Sequence, residues 1–228
     1  MPIPNIENPT IQSSNKVAIE LWDGFDSRAA VHNDPSDRQL FYLFGRKAIL
    51  ALQNNTQPEF DQIDIRSLMK VGRLIQLHMR SDINFSGLTA WFNHPETRAS
   101  LNNIQPNSGE AGAVATYELL TGLAESISYP DGIKHTTLAS RILFFLLPHL
   151  QFFNLSNGIG EAFQKSHLTE TKELWLSINR LVIHHENFLD TLEKPSEFQK
   201  SRDNQFTQFA NTGNWWHRRV MDLAILAP

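Results

Sequence analysis

Cysteine is absent from the 228-residue chain. That excludes a disulfide framework, a thiolate metal site and a cysteine nucleophile. It suits a reducing cytoplasm, the expected location. Long apolar runs are missing too: the longest, Ile142 to Leu147, falls far short of the roughly 20 residues that cross a bilayer. No membrane association is expected. Residues Met1 to Asn15 are polar and rich in Asn and Pro, without a basic start or an apolar stretch, and are read as no signal peptide. A surplus of positive charge is also lacking. The net charge of −4 argues against a wholly basic nucleic-acid binder, although the field at a cleft follows the local distribution rather than the sum.

Several catalytic signatures are missing as well. Gly158-Ile159-Gly160 has neither the third glycine nor the flanking strand of a dinucleotide fingerprint. There is no Gly-x-Ser-x-Gly elbow, so serine-hydrolase chemistry of that kind has no support. His184-His185-Glu186 invites a metal reading, but adjacent residues on a helix diverge by about 100° and cannot face one ion. The zinc-protease pattern needs histidines four apart with the glutamate between them. A solvated helix face is expected there, and no metal or cofactor.

What is present is apolar surface in quantity. Hydrophobic residues make up 41% of the chain, with 15 Phe and 5 Trp, enough to build a substantial core and to argue against disorder. Apolar residues recur at spacings of three and four, which predicts an all-α fold. Residues 1–20 read as an irregular arm. Asp34-Pro35-Ser36 signals a helix start, with Leu40, Phe41, Phe44, Ala48, Ile49 and Leu52 on one face, ending at 54–58. A second helix is expected at 65–79. Trp91 and Phe92 read as anchors among short helices, and Ser108 as the cap of a long helix carrying Val114, Tyr117, Leu120 and Leu123. Residues 136–147 are apolar on nearly every side, the mark of a central helix. An amphipathic helix at 169–192, including Ile183, is followed by a polar one at 197–209 and a last one at 215–226. The hinge between lobes is placed at 102–109, giving an arm at 1–20, an N-terminal helical lobe at 21–107 and a second lobe at 108–228.

Two segments invite function. Asn214-Trp215-Trp216-His217-Arg218-Arg219-Val220-Met221-Asp222 concentrates aromatic and basic groups. It reads either as a nucleic-acid contact through stacking and guanidinium groups or as a terminal helix whose tryptophans dock in the core while its arginines tie it down. Tyr129 to Thr136 reads either as a hairpin that aims backbone N–H groups and Lys134 at a phosphate or as an ordinary helix connector.

Leu138-Ala139-Ser140-Arg141-Ile142-Leu143-Phe144-Phe145-Leu146-Leu147-Pro148, then Phe153-Asn154-Leu155-Ser156-Asn157, then Trp215/Trp216, Arg218, Arg219, Val220, Asp222 and Leu223 together resemble motifs of the bacterial 8-oxoguanine DNA glycosylase-like family. That family belongs to the helix-hairpin-helix DNA glycosylase superfamily. The resemblance covers roughly residues 110–228 and rests on motif order. It implies two helical lobes, a helix-hairpin-helix element and a cleft that takes a base flipped out of double-stranded DNA. It further implies Lys134, His135, Thr136, Arg141, Trp216, Arg218 and Arg219 as DNA contacts.

Here the chain departs from the pattern. Ser156 stands at the catalytic Asp position, and the lysine-nucleophile position falls near Thr137. The resemblance therefore implies a monofunctional, cofactor-free, monomeric glycosylase in which Asn154 or Asn157 orients water. Ser156 and Asp131 complete the catalytic set, with Asp222 and Glu161 in reserve. Modified cytosines of phage DNA are a candidate substrate, which would make the chain a defence enzyme. The alternative is a catalytically inactive helical module that binds DNA or protein.

Overall fold

A computed structural model describes residues 3–24, 36–56, 84, 86–106, 108–128, 135–163, 171–199 and 205–227. Among them every regular element is helical, as the periodicity predicts. The helices are α1 (Asn8–Asp23), α2 (Asp37–Leu40), α3 (Arg46–Gln53), α4 (Ser86–Asn93), α5 (Pro95–Asn103), α6 (Gly109–Ser126), α7 (Thr136–Leu146), α8 (Asn157–Ala162), α9 (Thr171–His184), α10 (Glu186–Leu189), α11 (Gln205–Thr212) and α12 (Trp215–Ile225). A π turn, Phe41–Gly45, joins α2 to α3. The helix expected at 65–79 and the turn at 129–134 lie outside the described residues. No described helix is long and apolar enough to cross a membrane.

The irregular arm expected at 1–20 is corrected: most of it is α1. Pro9 is tolerated in the first turn, where its missing N–H has no partner to lose. Ile11, Asn15, Ala18 and Trp22 then fall on one buried face that packs against α12. Tertiary burial outweighs a polar composition. Gly24, at φ +77, closes the helix by returning its N–H to Glu20 O.

Ser36 starts α2 with a capping box. Its hydroxyl accepts from Gln39 N at 3.2 Å, and Gln39 Oε1 accepts from Ser36 N at 2.8 Å. This places Asp37 in the first turn, buried. Ser108 stands before α6, but its hydroxyl donates to Gln105 O at 2.8 Å instead of capping, and Gly109 makes the turn at φ +62. α7 is buried on nearly every side and is central to the core. The helix expected at 169–192 is split at His185 into α9 and α10. Ile183 is 47% exposed, because Leu174, Ile178, Leu181 and Val182 define the inward stripe and Ile183 lies one residue beyond it. The polar helix expected at 197–209 is a short 3-10 turn, Ser196–Phe198, and then α11.

An aromatic cluster joins the two ends of the chain. Trp22 meets Phe41 edge-on at 5.3 Å, Phe41 meets Trp215 at 4.9 Å, and Phe198 stacks on Trp215 at 5.8 Å. Such pairs contribute about 0.5–1.5 kcal/mol each beyond their burial. One hydrophobic cluster contains residues from Ile6 to Ile225, so the described helices on both sides of residue 107 share a core.

Candidate active site

Two of the motif segments, at 138–148 and 153–157, meet α12, while the turn at 129–134 lies outside the described residues. Pro148 ends α7 by removing a donor, and residues 147–156 return without regular structure. Buried backbone there needs partners from elsewhere. Arg218 supplies them. Its guanidinium donates to Pro148 O at 2.7 Å and to Phe152 O at 2.6 Å, and also to Leu150 O. Ser140 Oγ accepts from Leu155 N at 3.0 Å, and Thr116 Oγ1 donates to Gln151 O at 3.1 Å. The segment is held to α6, α7 and α12 at once.

This anchoring sets Asn154 against Asp222. Asn154 Nδ2 donates to Asp222 Oδ2 at 3.0 Å. Arg219 donates to the same oxygen at 2.8 Å, and its Nε donates to Asp37 Oδ2 at 2.6 Å. Arg219 thus bridges α12 to the first turn of α2. Three polar atoms in this group have no partner among the described residues: Asp222 Oδ1, Asn154 Oδ1 and Arg141 Nε. Arg141, on α7, is half-buried, as is Asn154.

The electrostatics follow from burial. Asp222 is 5% exposed, and desolvation raises its pKa above the ordinary carboxylate value against the pull of Arg219, the Asn154 bond and Arg141. Burial lowers Arg141, partly offset by Asp222 and reinforced by Arg219. Burial also draws Arg219 down, but Asp37 and Asp222 together outweigh it and hold the guanidinium above its usual value. Arg218 is pushed down to about 9 by burial and is still a cation at neutral pH. The group is a buried carboxylate bonded by a carboxamide and a guanidinium, with the charge of a half-buried guanidinium acting on it.

The residues expected at the site divide as follows. Asn154 bonds Asp222, and Arg141 acts on the same carboxylate through its charge. Ser156 does not join them: its hydroxyl caps α8, accepting from Ile159 N at 3.3 Å. Asn157 is the first residue of α8. Asp131 and Lys134 lie outside the described residues. His135 N donates to Ser128 Oγ at 3.1 Å, and Thr136 opens α7. Trp216, Arg218 and Arg219, expected to touch DNA, are corrected to core residues at 2%, 3% and 7% exposure. Trp216 Nε1 donates to Asn15 Oδ1 at 3.0 Å, and both arginines donate to the chain itself, Arg218 through its two terminal nitrogens while its Nε has no partner among the described residues. Docking of α12 in the core explains this, since buried guanidinium groups must be paired.

Asp37 was not foreseen as a member of the site. Its capping box is readable in Ser36-x-x-Gln39, but its pairing with Arg219 has no local signal. Asp222, a reserve at first, is the hub.

Among the described residues, a cavity of about 820 Å³ lies between α4, α5 and α6, and another of about 520 Å³ beside Lys194 and His217. Neither is lined by Asn154, Arg141 or Asp222. In the second, His217 Nε2 lies 3.2 Å from Lys194 Nζ and 3.3 Å from Asp190 Oδ1. Burial, then Lys194, pushes His217 down to about 4, against the pull of Asp190. His184 and His185 meet edge-on at 4.8 Å, and no group of His, Asp and Glu able to hold a metal occurs among the described residues. Compared with family models, curated proteins and solved structures, the chain matches none of them.

Proposed function

We propose that the chain is a monofunctional DNA glycosylase that excises a modified base from double-stranded DNA, with Asp222 as its carboxylate. The observation that carries this reading is the Asn154–Asp222 contact at 3.0 Å, with an unpartnered oxygen on each side chain and Arg141 beside them. Asp222 takes the role that the sequence resemblance assigned to the position of Ser156. The reading includes a two-lobed architecture with a helix-hairpin-helix around 128–136 and a monomer acting on modified cytosines in antiphage defence.

Breaking an N-glycosidic bond builds positive charge on the sugar, which a nearby carboxylate stabilises. Water oxygen bonds to C1′ as the C1′–N pair leaves with the base. Asp222 Oδ1 takes one water proton, Asn154 Oδ1 orients the water, and Arg141 stabilises charge on the leaving base. The proton passes to the departing nitrogen, so water is divided between the sugar hydroxyl and the released base. Every step uses side chains alone.

A second reading, a helical scaffold that binds DNA or protein without chemistry, is favoured by the 5% exposure of Asp222. A buried ion network also serves to fix one packing arrangement. Incubating the protein with duplexes carrying 5-hydroxymethylcytosine or only unmodified bases, and assaying abasic sites, separates the two. Abasic sites on the modified duplex support the glycosylase. Their absence on both duplexes, with the duplexes still bound, supports the scaffold.

A further inference from the structure

We infer that Asp37 is a positioning residue: through Arg219 it fixes which oxygen of Asp222 is open and how readily that oxygen takes a proton. As a role in catalysis this rests on Asp222 being the carboxylate of the proposed reaction. It extends that centre into the first half of the chain.

The cap of α2 supplies the starting point. Ser36 and Gln39 fix the backbone there, and Asp37, in the first turn, is 3% exposed. A carboxylate buried that deeply needs a partner. Arg219 provides it, donating from Nε to Asp37 Oδ2 at 2.6 Å. A guanidinium is planar and rigid, so a bond on Nε sets the direction of its other N–H groups. A terminal nitrogen then donates to Asp222 Oδ2 at 2.8 Å, and Asn154 Nδ2 donates to the same oxygen at 3.0 Å. Two donors hold Oδ2, while Oδ1 has no partner among the described residues. Oδ1 is the oxygen left to take a proton.

Charge follows the same path. Asp37 and Asp222 share one guanidinium, so neither carboxylate has the whole of its charge. Arg141, on α7, is the other cation acting on Asp222. Neighbouring charges are engaged elsewhere: Arg218 with the 148–152 carbonyls, His217 with Asp190 and Lys194, and Arg38 of α2 with Asp23 and Glu197. His149, on the segment that carries Asn154, lies under the charge of Arg218. The charged residues of α1, α8 and α9 stand at exposed positions, and α11 carries none. With the charge of Arg219 divided, burial prevails and holds Asp222 above the ordinary carboxylate value. Asp37 acts through the charge it withholds.

The test is a carbon NMR titration of the full chain with its aspartate carboxyl carbons labelled. The Asp222 signal is identified by its loss in Asp222→Asn. Asp37→Asn keeps an acceptor for Arg219 but removes the charge, so the guanidinium acts wholly on Asp222. The Asp222 midpoint then falls by about one unit, an about tenfold weaker hold on the proton. Ser36→Ala loosens the cap and leaves both charges in place, so it lowers stability without moving the midpoint. Asp37→Ser removes the same charge and gives the same shift should Asp37→Asn fail to fold. A midpoint that stays or rises in a folded uncharged variant overturns the inference. So does an equal fall in Ser36→Ala, which would make the effect one of packing. The acid limb of abasic-site formation moves down in Asp37→Asn together with the midpoint. A shifted midpoint with no abasic sites from either protein leaves the hold of Asp37 on Asp222 standing and sinks the glycosylase alone.

Discussion

Replacing Arg218 with Met tests how residues 148–152 are held. The guanidinium donates to the carbonyls of Pro148, Leu150 and Phe152 from a fully buried position. Losing the donors leaves three buried acceptors unsatisfied, at about 1–3 kcal/mol each. Removing a desolvated cation returns several kcal/mol. Set against the roughly 3–9 kcal/mol of three unsatisfied acceptors, that return leaves a net loss of about 1–5 kcal/mol. For a chain of this size the middle of that range is roughly 10 °C in melting temperature. Urea denaturation followed by far-ultraviolet circular dichroism measures it. Arg218→Lys, which keeps charge but loses the planar fork, falls between wild type and Met. A loss below about 1 kcal/mol for Met refutes the reasoning, because water must then satisfy those carbonyls.

Further outcomes follow from the same geometry. Burial, then Arg218, pushes His149 down to about 3, and His217 stands at about 4. Between the ordinary histidine value and those, the unfolded chain binds protons that the folded one does not, so stability falls as pH is lowered from about 6.5 and His149→Gln flattens the fall. Asp222 acts in the opposite sense, because its raised pKa lets the folded chain keep a proton that the unfolded chain has released. Gly213→Ala places a Cβ about 2.3 Å from His149 O, and the backbone shift it forces costs about 1–3 kcal/mol or more in the same urea titration. Arg219→Met strands Asp37 and Asp222 and lowers stability by about 3–5 kcal/mol. Asp37→Asn keeps a hydrogen-bond acceptor and costs less, and equal losses for the two variants contradict that ordering.

The class of fold was legible because a period near 3.6 is a local property. The stripe through Leu40, Phe41, Phe44, Ala48 and Ile49 and the all-round apolar run in α7 both became buried helices. α1 was hidden because its polar residues mask a narrow stripe, Ile11, Ala18 and Trp22, that is helical only against α12. The Trp-Arg cluster announced importance without deciding its kind: surface stacking and core docking require the same residues at the same spacing. Burial decided it, through partners far away in the chain. Asp37 pairs with Arg219, Asn15 with Trp216, and the 148–152 carbonyls with Arg218, and no local pattern encodes such pairs. Ser156, by contrast, carried a readable signal of its own, since serine is favoured directly before a helix, although the same signal at Ser108 did not become a cap.

The most direct test of the Asn154–Asp222 centre is the single-turnover rate of abasic-site formation by Asp222→Asn, with its fold checked by circular dichroism. The account predicts a fall of about 10²–10⁴-fold in a protein that still binds duplex. An unchanged rate in a folded variant contradicts it and moves any chemistry away from this carboxylate.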